Sequence, residues 1–312
     1  MADKFKTLEF NFDETNFPPK YESKGKFILA GEQIPNQGDD SAEEMLWSYV
    51  ASMHRDGVDD NFNSNFFMDL KPRLTPNQQK LSFPKDFKDV IEQMSAMNEN
   101  MKEAKKARSK EEKAAEKKYK ESLKEKYGFA IVNGKKQPLG AYMIEPPGIL
   151  FSRGAPKIHG HWKYRVQPED IIINWCSDKP APKAPTGHHW KEVVANRKAF
   201  QIVKYEVDTG HVVTGPKKIL FAAKADNKKA ADKKKFEKAL KLIKNWDKME
   251  AHIEKGLKSR DKKTQEAALV SWLIKETSIR IGSYDTKGTD FENGVVGAST
   301  LKVGNIILTK ED

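Results

Sequence analysis

Forty consecutive residues, Phe87 to Lys126, contain neither proline nor glycine, and the second half of that run is almost free of apolar side chains. Its composition favours helix. Yet only Tyr119 and Leu123 recur there at helical spacing, too little for a face that could bury against a core. No apolar heptad is sustained, which excludes a coiled coil. A helix so long and so polar must project from the body of the protein or lie along a charged partner. Residues 101–126 carry 11 basic and 6 acidic side chains. Residues 213–263 repeat the imbalance more steeply, 17 against 7, whereas residues 1–87 are net acidic, with 10 against 15. In a chain of 312 residues and net charge +11, two such stretches point to a face built for a polyanion. Solvated lysine helices without a partner, or a basic RNA- or ribosome-associated protein, would share this charge pattern.

Around the polar run the pattern is mixed, and the expected fold class is α+β. Phe10, Phe12 and Phe17, then Phe27, Ile28 and Leu29, read as short strands between turns at Pro18-Pro19 and Gly25. Ser41 and Glu44 have capping-box spacing, and Met45, Leu46, Tyr49, Val50 and Met53 follow at helical intervals. Asp59 to Leu74 reads as short helices and turns. Phe129 to Val132, a turn at Asn133-Gly134, and Leu139 to Ile144 read as a hairpin. Ile171 to Ile173 and Ala199 to Val207 are strand-like. From Lys217 onward the chain is expected to be helical, with Phe236, Leu240, Ile243 and Trp246 on one face. Ala267 to Ile281 is expected as a buried helix with Ala268, Leu269, Trp272 and Leu273 in the core, stopped by Gly282. The tail, Val295 to Leu308, reads as strand.

Several chemistries lack their parts. There is no Walker loop, no GxGxxG after a strand, no CxxC and no HExxH. His159 and His161, or His188 and His189, do not make a metal set without further ligands, and no metal is expected. Lone Cys176 cannot form an intrachain disulfide. No apolar run approaches the roughly 20 residues of a membrane span. The charged start is unlike a secretory signal. What remains is a set of Arg and Lys residues in Gly- and Pro-rich loops, suited to electrostatic stabilisation at phosphate.

An ordered set of strings narrows this. Glu145-Pro-Pro-Gly148, Phe151-Ser-Arg-Gly154, Pro156-Lys157, Gln167-Pro-Glu-Asp-Ile-Ile-Ile-Asn174 and Pro185-Thr-Gly-His-His-Trp-Lys-Glu-Val193 occur in that order. With Asn65-Phe66-Phe67, Ser109-Lys-Glu-Glu-Lys113 and Lys126-Tyr-Gly-Phe129, they closely resemble the core region of eukaryotic type IB DNA topoisomerases. The resemblance implies a two-lobed clamp on duplex DNA. Residues 22–108 would form one cap lobe, and 1–21 with 109–213 the other. Residues 214–312 would begin a mostly helical catalytic lobe. The polar helices near 88–126 would jut from the cap toward DNA. It also implies a nuclear protein whose chemistry needs neither ATP nor an obligatory metal.

Residue roles follow from matching strings only. The resemblance implies Arg153 in the minor groove and Lys157 on the backbone nearby. Lys163, Arg165, Lys191, Lys217 and Lys218 are also expected at DNA. Leu273 to Gly282 resembles the helix end that delivers the first catalytic arginine, here Arg280, and Val296 to Val303 the next strand. Two departures stand out: Gly-Asn-His becomes the shorter Gly154-Ala155, and Asn-Glu after the arginine's glycine becomes Ser283-Tyr284. None of the eight tyrosines sits in the family's nucleophile motif. The expectation is therefore a core fragment, or a naturally split subunit with a companion polypeptide carrying the tyrosine, that clamps DNA and supplies Arg280 but does not cleave alone. The rival is a non-enzymatic DNA-binding protein derived from the clamp.

Overall fold

The computed structural model describes residues 3–151, 158–206, 217–222, 225–282, 297–301 and 304. In chain order its elements are β1 (Leu8–Phe10), β2 (Ile28–Leu29), β3 (Glu32–Gln33), α1 (Ala42–Ser52), α2 (Asp60–Leu70), α3 (Lys88–Ala107) and α4 (Lys110–Tyr127). Then come β4 (Phe129–Val132), β5 (Lys135–Pro138), β6 (Gly148–Ile149), β7 (Trp162–Lys163), β8 (Ile172–Asn174), β9 (Glu192–Val194), β10 (Gln201–Tyr205) and β11 (Lys217–Leu220). Three helices close the series: α5 (Asp226–Ile243), α6 (Trp246–Leu257) and α7 (Lys262–Thr277). The mixed α+β class is as expected. No described helix is long and apolar enough to cross a membrane.

Two compact units divide the chain, Met1–Ser152 with Pro156–Lys229, and Arg153–Ala155 with Ala230–Asp312. The first unit contains two apolar clusters. One gathers Phe5, Leu8, Phe10 and Phe12 with Ile171, Ile173, Ile202, Val203, Ile219 and Phe221. It lies on a sheet of order β1-β4-β5 and another of order β11-β10-β8-β9, joined by bridges at Leu8–Cys176 and Leu139–Phe221. Only β8–β9 is parallel. The second cluster packs α1, α2 and the start of α3 around Met45, Leu46, Phe62, Phe66, Phe87 and Met94, with Trp162 of β7 sealed into it.

Local chemistry sets the element ends. At α1 the Ser41 side chain accepts from Glu44 N at 3.3 Å. The Glu44 carboxylate then reaches Asp40 N instead of completing the box at Ser41. The Pro- and Gly-free run is two helices, broken at Arg108-Ser109 by a full capping box between Ser109 and Glu112. Val90, Ile91 and Met94 anchor α3 in the core, but from Glu99 to Ser122 every residue except Glu116 is exposed.

Four expectations need correction. The hairpin strand after Asn133-Gly134 is Lys135–Pro138, not Leu139 to Ile144. Both turn residues have positive φ, 49° and 76°, so a two-residue turn returns the chain at once. Lys217 opens strand β11, and helix begins only at Asp226. There the pairing of Ile219 with Val203 overrides the lysine-rich composition. The third helix is not buried: α7 covers only Ala268, against Gly256 of α6, and Leu269 and Trp272 stay exposed. Finally, residues 297–300 form a turn, not a strand; most of the expected tail strand lies outside the described residues.

Candidate nucleic-acid interface and the Arg280 segment

The basic residues expected at DNA separate into three groups. Arg165 lies just after β7, and its side chain is 7% exposed. Its Nη2 meets Glu44 Oε1 at 2.7 Å, Nε lies 3.2 Å from Asp39 Oδ1, and Nη1 donates to the carbonyls of Pro18 and Pro19. Nη1 and Nη2 of Arg165 are thus engaged within the protein, and a phosphate there would have to displace two carboxylates. Lys163 on β7 is also committed, 13% exposed and 3.2 Å from Glu145 Oε2. Lys191 and Lys218 are exposed. Arg153 and Lys157 lie outside the described residues, as does the side chain of Lys217.

Around Arg165 the protein buries several carboxylates. The Asp40 carboxylate accepts from Trp162 Nε1 at 2.9 Å and from Arg165 N. Burial raises the pKa of Asp40 despite these bonds, and burial likewise raises Glu44 against the pull of Arg165. Each therefore holds protons more tightly when folded than when unfolded. Their contribution to stability is complete below the ordinary carboxylate range and declines as pH rises through their raised values. Asp40→Asn should flatten that decline, because the amide keeps an acceptor for Trp162 and asparagine tolerates the φ of 55° at this position. Urea midpoints measured from pH 4 to pH 8 check this; an unaltered slope in the variant would refute it.

Four histidines make contacts within the protein. His159 Nε2 lies 2.5 Å from Gly57 O, and His161 Nδ1 lies 2.9 Å from Asp69 Oδ2. His188 and His189 both face Glu169. Among the described residues no cluster of three or more His, Cys, Asp or Glu side chains could hold a metal.

In the second unit, α7 ends at Ser278, whose φ of 55° turns the chain out of the helix. Arg280 follows in an exposed, non-helical segment. That segment is fixed by its backbone: Ala298 N donates to Arg280 O and Ser299 N to Ile281 O, each at 2.8 Å. The approach requires glycine on both sides. A Cβ on Gly297 would fall 2.3 Å from Gly282 N, and one on Gly282 would fall 2.6 Å from Thr300 Oγ1. Among the described residues Arg280 has no acidic partner. Nearby Lys275 is held by Glu250 and Glu276, whose hydrogen bonds push its pKa up. Among the described residues the charge of Arg280 is thus uncompensated, on a braced backbone, a disposition suited to an anion. Gly282 was visible in the sequence as a stop; its contact with Gly297 was not, because nothing local encodes it.

Comparison with known families matches residues 3–221 to the eukaryotic DNA topoisomerase I DNA binding fragment, and residues 224–312 to the eukaryotic DNA topoisomerase I catalytic core. The chain belongs to the eukaryotic, type IB, DNA topoisomerase I family. Among individual relatives, it is 31% identical to DNA topoisomerase 1 of Homo sapiens over 299 residues, 95% of this chain and 38% of that protein. The match to DNA topoisomerase 1 of Candidozyma auris is 30% over 309 residues, 98% of this chain and 40% of the relative. That of Drosophila melanogaster is 30% identical over 301 residues, 95% of this chain and 30% of the relative. The chain thus spans well under half the length of these relatives.

Proposed function

We propose that this chain is the duplex-DNA clamp and the first part of the catalytic core of a type IB topoisomerase. In this reading residues 22–108 form one cap lobe, 1–21 with 109–213 the other, and 214–312 begin the catalytic lobe. Arg153, Lys157, Lys191, Lys217 and Lys218 contact the DNA, and Arg280 stabilises charge on the scissile phosphate. Lys163 and Arg165 instead brace the fold. The complete reaction is attack by a tyrosine on a phosphodiester, rotation of the freed strand and resealing, with no ATP and no obligatory metal. The protein works in the nucleus.

The observation that carries this reading is the solvent-facing polar run of α3 and α4 in a segment matched throughout by a DNA-binding fragment. Such a helix has no core to serve, and its basic excess fits phosphate. Contacts of this kind bind without reading sequence. Duplex affinity should therefore fall steeply with salt, with a log–log slope of about −0.9 per neutralised phosphate. Fluorescence anisotropy with a labelled duplex between 50 and 200 mM salt measures it. A flat dependence would overturn the clamp.

A companion polypeptide bearing the tyrosine is part of the proposal. Phe236, Leu240 and Ile243 recur at spacings of four and three on α5 and are 74%, 58% and 65% exposed. Three large apolar residues aligned in water favour a further polypeptide covering that stripe. The departures at Gly154-Ala155 and Ser283-Tyr284 favour the rival, a clamp that binds DNA without chemistry.

A further inference from the structure

We propose that Lys204 and Lys218 form a two-lysine clamp for a single backbone phosphate on the outer face of the β10–β11 pair, an inference that rests on the DNA-binding reading above. In this antiparallel pair Lys204 stands directly opposite Lys218. The register is irregular between Gln201 and Val203, which lets Ile202 and Val203 both be buried, and beyond it strand alternation sets the face. Val203, Tyr205, Ile219 and Phe221 point into the core, while Lys218 is exposed and Lys204 half-buried on the other side. On its second flank Lys204 is paired with Ile172 of β8, which carries no charge to offset it. Directly opposed side chains have Cβ atoms about 5 Å apart, and like charges so placed repel.

A sheet can relieve such a pair with a neighbouring carboxylate. Glu192 lies in the same row on β9, across Ile172, and Glu206 follows β10, yet among the described residues neither forms an ion pair with either lysine. The two lysines are therefore directly opposed on paired strands, without a counter-ion among the described residues. A phosphate diester supplies one negative charge and two free oxygens, one for each ammonium. Lys204 sits in a strand whose alternation marks it as outward-facing, but only the register shows that it meets Lys218.

The test exploits opposite signs. Lys204→Gln, Lys218→Gln and the double variant, which keep much of the side-chain stem, should each flatten the log–log salt dependence of duplex binding by about 0.9. The double variant should lose no more than either single, because both lysines serve one phosphate. At the same time thermal midpoints without DNA should be unchanged or higher, since repulsion has been relieved; lysines that merely support the fold would lower them. An unaltered salt slope in all three variants, with normal binding by the parent, would overturn this inference alone. A double variant that loses about twice the single effect would also overturn the shared phosphate. Failure of the parent chain to bind duplex would instead overturn the DNA-binding reading itself.

Discussion

Asp69→Ala should destabilise the first unit by about 3 to 5 kcal/mol, the scale for stripping a buried polar cluster of a shared partner. Asp69 lies at the end of α2 with its side chain fully buried, and its Oδ2 accepts from Trp162 N at 2.7 Å while lying 2.9 Å from His161 Nδ1. One carboxylate thus serves two groups some ninety residues away in the chain, both sealed from water. Alanine leaves a backbone N–H and an imidazole buried with that acceptor gone, each costing about 1 to 3 kcal/mol. Such a loss is a large share of a typical domain stability of about 5 to 15 kcal/mol. Asp69→Asn retains one carbonyl acceptor and should lose less. Urea unfolding followed by tryptophan fluorescence reads both variants. A midpoint for Asp69→Ala equal to that of the parent would show that this cluster does not hold β7 to α2. By contrast Lys117→Ala should be silent, because its contact with Glu121 is between exposed side chains.

That cluster also shows where sequence reading runs out. Capping signals are local, so Ser41 and the Asn133-Gly134 turn were visible in advance, and Ser109-x-x-Glu112 carried the helix break in plain residues. The α1 pattern likewise gave Met45, Leu46, Tyr49 and Val50 to the core. A buried arginine and a solvent-facing one look alike in sequence, and the burial of Arg165 shows only when Glu44 and Asp39, over a hundred residues earlier, are seen beside it. Lys217 and Lys218 invited a helix because their strand partners, Tyr205 and Lys204, are fixed by register rather than by neighbours in sequence. On α5 the spacing of Phe236, Leu240 and Ile243 was legible as a face, but Trp246, expected with them, opens α6, and α7, expected in the core, buries only Ala268. What periodicity could not give was whether anything covers them, and on α5 the described structure leaves Phe236, Leu240 and Ile243 in water.

The polypeptide of residues 1–312, purified alone, is expected to leave supercoiled plasmid unrelaxed. Type IB chemistry needs a phenolic oxygen free to attack phosphorus, and the tyrosines here are largely committed elsewhere. Tyr49 and Tyr127 are buried and donate to Asn63 and Asp13. Tyr205 is buried and its hydroxyl accepts from Glu145 N; burial, chiefly, pushes its pKa up. Burial and a hydrogen bond to Glu43 raise Tyr21 further still, the opposite of activation. Tyr119 is exposed on α4 among lysines, without a described arginine beside it. Adding a polypeptide that carries the remaining catalytic core of a relative, tyrosine included, should restore relaxation. Phe236→Asp with Leu240→Asp should abolish that rescue while duplex affinity persists, because the substitutions place charge on the stripe proposed to be covered. In the reconstituted system Arg280→Ala should slow relaxation by about 10²- to 10³-fold, the usual cost of removing one preorganised charge-stabilising donor. Relaxation by the chain alone would overturn the placement of the nucleophile outside it. No relaxation with the companion present, despite salt-sensitive duplex binding, would favour the non-enzymatic clamp, since in the proposed reading binding needs only the basic surfaces whereas cleavage also needs Arg280 brought to a tyrosine.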